Sequence, residues 1–211
     1  MTVNDTLVSV GIDDTAERDV AATGVRDAGL DARTPTPSLA HFLVDDSELL
    51  YDECGIQVWH GDGLRVLDTL NSARICIVTD PPYGVGEPTN RKERGRSKLA
   101  PCNDFPPVFG DDHPFDPKPL LRGCPLVTFG AIYYAHKLPP SSSWVVWDKR
   151  DGMNGNDNAD CELAWSNLGG PARLLHHRWN GMLKASERRE KRVHPTQKPI
   201  ALLERIIKAS S

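Results

Sequence analysis

Residues 74–84 constrain the fold of this chain more than any other stretch of its sequence. The run Arg74-Ile75-Cys76-Ile77-Val78 is short, mainly apolar and rich in β-branched residues, which is typical of a strand buried on both faces of a parallel sheet. Two consecutive prolines then end the strand, because proline cannot donate a backbone hydrogen bond to a neighbouring strand. Since open α/β sheets bind ligands at the carboxyl ends of their strands, the sequence predicts that Asp80 and Tyr83 lie in a ligand site.

The loop sequence Asp80-Pro81-Pro82-Tyr83 suits one chemical task, the holding of a flat heterocycle that carries an exocyclic amine. The Asp80 carboxylate and the Pro81 carbonyl can accept the two amine hydrogens, while the Tyr83 ring stacks on the heterocycle. With both hydrogens held, the nitrogen lone pair leaves ring conjugation and the amine becomes a nucleophile. Taken alone, the four residues also fit an ordinary surface turn after a strand.

A second motif, His194-Pro195-Thr196-Gln197-Lys198-Pro199, precedes a helical apolar pattern late in the chain. Together the two motifs resemble those of the DNA amino-methyltransferases, which methylate adenine N6 or cytosine N4. The resemblance is to the permuted group, in which Asp-Pro-Pro-Tyr comes early and His-Pro-Thr-Gln-Lys-Pro comes late. Segments 58–67 and 145–149 are also similar to that family, so the resemblance covers residues 49–211.

The resemblance implies an α/β fold of the Rossmann-like S-adenosylmethionine-dependent methyltransferase type, incomplete and in permuted order, with a mostly parallel sheet and flanking helices. It implies a site-specific DNA methyltransferase, as in restriction–modification systems, that rotates its target base out of the duplex. The methyl group passes from S-adenosylmethionine directly to the amine of the base. The implied catalytic residues are Asp80, Pro81, Pro82 and Tyr83. The implied cofactor-binding residues are Asp62, Asp80, His194, Thr196, Gln197 and Lys198, of which the last three can hold the methionine carboxylate.

Several alternatives stay open at this point. Aspartate at the first position of the early motif is commoner with adenine targets and serine with cytosine targets, so Asp80 favours adenine N6 over cytosine N4. Asp62 lies near the adenosyl group in the resemblance, but it equally fits the N-cap of a helix. The sequence His194-Pro195-Thr196 also fits a plain helix start.

One departure from the family concerns the cofactor. In the permuted group the late helix leads into a strand and a Phe-x-Gly-x-Gly turn that cradles the cofactor, and this sequence contains no such turn. We therefore expect the catalytic and DNA-contacting parts without most of the cofactor part. The chain would then be an enzyme active alone, an enzyme completed by a second polypeptide that supplies the glycine-rich half, or a DNA-binding remnant without activity. In isolation it is expected to bind S-adenosylmethionine weakly.

Charge divides the chain into two regions. Residues 1–48 hold ten Asp/Glu and three Arg, a balance of −7, whereas the remaining 163 residues hold 22 basic and 19 acidic groups, a balance of +3. The first region, up to residue 48, is predicted to be an acidic and largely disordered tail. Residues 49–211 are predicted to be the methyltransferase catalytic region.

Two basic segments are predicted to contact double-stranded DNA. Residues 84–98 carry five Lys/Arg against two Glu, and residues 173–198 carry eight against two. Such cations bind phosphates and add affinity without reading sequence, although the first segment also fits an ordinary solvated loop. The resemblance places target recognition at about residues 150–192. The predicted DNA contacts are Arg91, Lys92, Arg94, Arg96, Arg178, Arg188, Arg189, Lys191 and Arg192.

Other classes of protein receive no support from the sequence. There is no membrane-spanning run and no charged-then-apolar leader, so a cytoplasmic protein is expected. The five cysteines have no Cys-x-x-Cys spacing, and His176-His177 lacks a third ligand at metal spacing, so neither a disulfide framework nor a metal site is predicted. Asp148 and Lys149 are predicted to pair with each other, with a place in the base pocket as the alternative.

Overall fold

The computed structural model of this chain describes residues 9–11, 47–53, 56–86, 105–153, 159–180 and 183–210. Four predicted DNA contacts, Arg91, Lys92, Arg94 and Arg96, lie outside the described residues, as does most of the predicted acidic tail. Within that tail Ser9–Gly11 forms a strand, although the sequence predicts disorder there. A short segment that contains the β-branched Val10 can pair with an open strand edge, which explains the difference.

The described residues contain strands and few helices. The strands are β1 Ser9–Gly11, β2 Glu48–Glu53, β3 Ile56–His60, β4 Cys76–Thr79, β5 Leu126–Phe129, β6 Trp144–Asp148, β7 Cys161–Ser166, β8 Arg173–His176, β9 Trp179–Asn180 and β10 Leu183–Lys184. The α-helices are α1 Gly63–Thr69, α2 Ala131–Tyr134 and α3 Ile200–Ser210. Short 3₁₀ turns occur at Ser72–Arg74, Lys118–Leu120 and Ala135–Lys137. No helix in the described ranges is long and apolar enough to cross a lipid bilayer.

The main sheet has six strands in the order β1-β4-β5-β7-β6-β8, and β2–β3 and β9–β10 form separate hairpins. The pairs β4–β5 and β6–β8 are parallel, whereas β1–β4, β5–β7 and β6–β7 are antiparallel. The fold is therefore mixed α/β, and the predicted mostly parallel sheet is wrong. The sequence between β6 and β7 is rich in glycine and asparagine and has no apolar pattern typical of the crossover helix that parallel pairing needs.

The sheet is packed on both faces. Neighbouring residues of a strand point to opposite faces, so Ile77 and Val78 of β4 belong to different apolar clusters. Helices α1 and α2 contribute to the first cluster, which comprises Leu67, Ile75, Ile77, Leu120, Cys124, Leu126, Ala131, Tyr134 and Trp165. Helix α3 contributes to the second, which comprises Val78, Val127, Phe129, Trp147, Ala164, Trp179, Leu202 and Ile206. The prediction of a strand buried on both faces is confirmed for β4, whose Ile77 and Val78 are buried in the two clusters.

Two helix starts show how acidic side chains are used. Asp62 is the N-cap of α1, and its Oδ1 accepts the Leu64 N–H across 3.0 Å, so the capping alternative is confirmed for this residue. Helix α3 begins at Ile200, after Pro199, and not at Thr196. The Glu187 Oε1 accepts the Ile200 N–H across 2.7 Å, so a carboxylate from before the late motif satisfies the first donor of this helix.

Candidate functional site

The candidate site lies where β4 and β5 end side by side. Because these strands are parallel, the Asp80 loop after β4 meets Gly130, which follows β5. Gly130 has a φ of +67°, and a Cβ placed on it would lie 1.9 Å from Tyr83 Cε1. Glycine is therefore required here for its backbone conformation and for the close approach of the Tyr83 ring.

Asp111 holds the backbone of the loop. Its Oδ1 accepts the N–H groups of Tyr83, Gly84 and Val85 across 3.1, 2.9 and 3.2 Å. The Asp111 carbonyl also accepts the Gly86 N–H across 2.9 Å, and the residue is only 6% exposed. A buried carboxylate that accepts consecutive backbone donors fixes the course of the loop, and with it the place of the Tyr83 ring.

Both oxygens of the Asp80 carboxylate have partners within the chain. The Tyr83 hydroxyl donates a short hydrogen bond to Oδ1, and the Lys198 ammonium donates to Oδ2 across 2.7 Å. Lys198 Nζ also lies 3.3 Å from the Tyr83 hydroxyl oxygen. The structure thus brings together residues of the early and late motifs that are 118 positions apart.

Lys198 begins a chain of alternating charges. Its side chain is 6% exposed, and its Nζ lies 3.1 Å from Glu162 Oε2. On the other side, Glu162 Oε1 lies 2.7 Å from Lys149 Nζ. We call Asp80, Lys198, Glu162 and Lys149 the charge chain. Its two carboxylates and two ammonium groups balance, which is the arrangement that buried charges require.

The protonation states follow from these contacts. Burial alone would lower the pKa of the Lys198 ammonium, but the Asp80 and Glu162 carboxylates outweigh it and the pKa is raised. Burial would raise the pKa of Glu162, but Lys198 and Lys149 outweigh it and the pKa is lowered. The pKa of the Tyr83 hydroxyl is raised by burial and by the Asp80 charge beside it. At neutral pH Lys198 and Glu162 are charged and Tyr83 is a neutral donor.

Asp148 and Lys149 do not pair with each other, so the prediction for them is wrong. Lys149 pairs with Glu162, whereas Asp148 Oδ2 lies 2.8 Å from His176 Nδ1 on β8. Asp148 ends β6 and Lys149 follows it directly, and consecutive side chains of an extended segment point to opposite sides.

The Tyr83 ring forms part of an aromatic surface. It stacks on the Tyr133 ring with 5.3 Å between centroids and 23° between planes. Tyr133 is 54% exposed, so the stacked pair extends from the half-buried Asp80 carboxylate to solvent. A flat ring that enters beside Tyr83 would therefore meet an aromatic surface next to a hydrogen-bond acceptor.

The other residues of the late motif contact each other. The Thr196 hydroxyl lies 3.1 Å from His194 Nδ1, and Gln197 Oε1 accepts the Val193 N–H across 2.9 Å. These bonds stabilise the turn that delivers Lys198 to Asp80. Asp62 lies at α1, where its carboxylate is 3.8 Å from Arg65 Nε, and among the described contacts it has none with Asp80.

The second basic segment, residues 173–198, begins with β8 and ends just before α3. Arg188, Arg189 and Lys191 are exposed, whereas Arg178 and Arg192 are half-buried. Arg192 Nη1 donates to the Pro195 carbonyl across 3.4 Å and Arg178 Nη1 to Met153 Sδ across 3.2 Å. Arg188, Arg189 and Lys191 are therefore open to a polyanion. Within the described ranges, no cluster of His, Cys, Asp or Glu could hold a metal ion.

Three residues of the site were not among the predicted ones: Asp111, Tyr133 and Glu162. Asp111 and Tyr133 act through contacts that no local pattern reveals. Glu162 had a signal, because a charged residue inside the short buried segment 161–165 requires a partner. Lys149 was predicted with a different partner.

Comparisons of the chain with protein-family models, with curated proteins and with solved structures each found no match.

Proposed function

We propose that this chain carries the catalytic site of a DNA amino-methyltransferase that acts on the exocyclic amine of a base rotated out of the duplex, with adenine N6 preferred. The proposal includes the finer fold assignment, a Rossmann-like methyltransferase fold in permuted order. The observation that carries it is the 2.7 Å contact between Lys198 and Asp80. It joins in one site the two motifs on which the resemblance rests.

The chain's residues have defined tasks in this reaction. The base amine donates one hydrogen to Asp80 Oδ1, in the place that the Tyr83 hydroxyl occupies, and the other to the Pro81 carbonyl. The Tyr83 ring stacks on the base and offsets part of the cost of rotating it out of the helix. S-adenosylmethionine, when bound, supplies the methyl group on a sulfonium that leaves as a neutral thioether. The methylated amine then loses one proton, for which Asp80 is the adjacent carboxylate.

The late motif fits the cofactor only in part. Lys198 is engaged with two carboxylates, so it presents no free donor to a methionine carboxylate. Gln197 accepts the Val193 N–H with its Oε1, which leaves its amide nitrogen as a donor for such a carboxylate. Asp62 keeps a partly exposed carboxylate beside α1 that can accept from a ribose hydroxyl. We propose that a glycine-rich segment, in the same polypeptide or a second one, completes the cofactor cradle.

Duplex DNA is the proposed macromolecular substrate. Arg188, Arg189 and Lys191 are exposed on the segment that leads into the late motif, and Glu187 among them is used to cap α3. The negative charge of Glu187 therefore faces the start of α3 and not a bound polyanion. The exposed side of this segment is therefore suited to phosphate contacts.

The test is transfer of a tritiated methyl group from S-adenosylmethionine to duplex DNA. The 211-residue chain is assayed alone and with a companion polypeptide that carries a Phe-x-Gly-x-Gly segment. Methyl transfer in either mixture supports the proposal. No transfer in either, when calorimetry shows that both the cofactor and the duplex are bound, contradicts it.

One observation favours a second candidate, a DNA-binding remnant without turnover. Both Asp80 oxygens are occupied by Tyr83 and Lys198, so the site is closed to an amine until one partner leaves. The variant Tyr83→Phe separates the two candidates because it frees Oδ1 and keeps the ring. In an enzyme this variant retains methyl transfer, whereas a remnant binds duplex DNA and transfers nothing in either form.

A further inference from the structure

Lys198 is the residue whose surroundings differ most from what the resemblance implies. The resemblance places it on the cofactor carboxylate, yet its side chain is 6% exposed and its ammonium faces two protein carboxylates. We propose that Lys198, held from behind by Glu162, is a positioning residue for Asp80 and not a ligand of the cofactor. This inference rests on the proposed function, since Asp80 is the group that it positions.

The first argument concerns the partners of the Lys198 ammonium. Its Nζ donates hydrogen bonds to Asp80 Oδ2 at 2.7 Å and to the Tyr83 hydroxyl at 3.3 Å, and it forms an ion pair with Glu162 Oε2 at 3.1 Å. A cofactor carboxylate would have to displace one of them. Displacement would leave a protein carboxylate buried beside fewer positive charges, which is unfavourable.

The second argument concerns the direction of Asp80. Lys198 holds Oδ2, so Oδ1 is the oxygen left for an exchangeable partner, and at present that partner is the neutral Tyr83 hydroxyl. Replacing a neutral donor by a base amine changes no charge in the site. The Lys198 contact can therefore persist while the substrate is bound, and it fixes which oxygen of Asp80 faces the base.

The third argument explains Glu162. It lies on β7, the strand that pairs with β5, and it contacts Lys198 with one oxygen and Lys149 with the other. A lysine bound to Asp80 alone could follow Asp80 when the loop moves. The Glu162 contact holds the Lys198 ammonium against the sheet. The position of the Asp80 carboxylate is therefore fixed relative to β7, which is a rigid element.

Among the residues that the structure describes, three charged or titratable groups face Lys198: Asp80 and Tyr83 from the loop and Glu162 from β7. Lys149, which follows β6, contacts Glu162 on its other side. A titration of Lys198 therefore reports on this set. Since it needs neither turnover nor cofactor, it separates a failure of the inference from a failure of the proposed function.

The titration compares Glu162→Gln with the wild type and uses Glu204→Gln, on the exposed side of α3, as the matched control. Lys198→Arg, with Lys208→Met on the same side of α3 as its control, belongs to the rate measurement. The Lys198 amine is titrated by NMR of its ammonium nitrogen. Glu162→Gln is expected to lower the pH at which the Lys198 amine titrates by about one pH unit or more, because one opposite charge is lost. Glu204→Gln is expected to leave it unchanged. An unchanged Lys198 titration in Glu162→Gln would overturn the inference.

A second readout separates positioning from cofactor binding. In the form of the protein that transfers methyl groups, Glu162→Gln is expected to lower kcat by roughly 100-fold, the effect of a displaced reacting group, and to leave the Kd for S-adenosylmethionine within about twofold. Lys198→Arg keeps the charge and is expected to recover part of the rate. A Kd raised tenfold or more with kcat unchanged would assign Lys198 to the cofactor and refute the positioning role. If the wild type transfers no methyl group, the proposed function fails. The titration still shows in that case whether the Glu162 charge acts on the Lys198 ammonium.

Discussion

Lys198 and Asp80 are joined by a contact of 2.7 Å across 118 positions of sequence, between a buried ammonium and a half-buried carboxylate. The late motif therefore contacts the Asp80 loop directly. Its turn is stabilised by its own hydrogen bonds, and its lysine reaches into a site formed by the ends of β4 and β5. The predictions that follow test the loop, its support and the charges around it.

Asp111→Ala should destabilise the protein. Three backbone N–H groups at Tyr83, Gly84 and Val85 would lose their acceptor, and leaving the partly buried ones unsatisfied costs up to about 1–3 kcal/mol for a group. Urea unfolding measures the change. Asp112→Ala is the matched control, because that neighbouring carboxylate is 76% exposed and pairs only with the exposed His113 in the described contacts. Equal stability of the two variants would contradict the role of Asp111.

Gly130→Ala should both strain the backbone and displace Tyr83. The φ of +67° costs an L residue about 1–2 kcal/mol, and a Cβ 1.9 Å from Tyr83 Cε1 adds a steric penalty of about 1–3 kcal/mol. Gly169→Ala is the control, since Gly169 has a φ of +76° and open space where its Cβ would lie. Thermal unfolding of both variants separates strain from clash. A Gly130→Ala variant no less stable than Gly169→Ala would show that the Tyr83 ring does not pack as described.

Replacing Arg188, Arg189 and Lys191 together by alanine should weaken duplex binding and reduce its dependence on salt. Each lost phosphate contact lowers the slope of log K against log salt by about 0.9. The side chains are exposed, so the fold should be unaffected. Arg74→Ala, an exposed arginine on a 3₁₀ turn, is the control. If the triple variant keeps the wild-type slope in fluorescence titrations, the segment does not contact DNA.

The charge chain predicts a stability that falls at both extremes of pH. The pKa of Glu162 is lowered in the folded state, so its contribution is present above its ordinary value of 4.5 and is lost as the pH falls through the lowered pKa. The pKa of Lys198 is raised, so its contribution is present below 10.5 and is lost as the pH rises through the raised pKa. Unfolding free energies measured across pH should show both losses in the wild type. In Glu162→Gln the unfolding free energy should fall less at acid pH than in the wild type. An equal fall at acid pH in both proteins would contradict an ion pair between Glu162 and Lys198.

The parts of the fold that follow from local pattern could be predicted from the sequence. The three predicted apolar runs contain most of β4 Cys76–Thr79, β5 Leu126–Phe129 and β6 Trp144–Asp148, and the proline pair follows β4 beside the site. Such runs form strands because their burial is determined by their own composition. The antiparallel return of β7 could not be predicted in this way, because it depends on which strand edge a segment finds after a loop.

The site shows the same division. The Asp80 loop and the late motif are recognisable because their residues are adjacent in sequence. The contacts that position them are long-range: Asp111 reaches residues 26–28 positions away and Glu162 reaches Lys198 from another strand. Those partners are fixed by packing, and a single sequence contains no local pattern that names them.

The most direct test of the central claim is the identity of the base modified in the presence and absence of the Asp80 carboxylate. Duplex DNA is incubated with S-adenosylmethionine and the active form of the protein, as wild type or Asp80→Ala, and its nucleosides are separated by mass spectrometry. We expect N6-methyladenine with the wild type and none with Asp80→Ala, while both bind the duplex with nearly equal affinity because Asp80 acts on the amine and not on phosphates. N4-methylcytosine alone would overturn the choice of base. Wild-type amounts of methylated base from Asp80→Ala would contradict the claim that this carboxylate activates the amine.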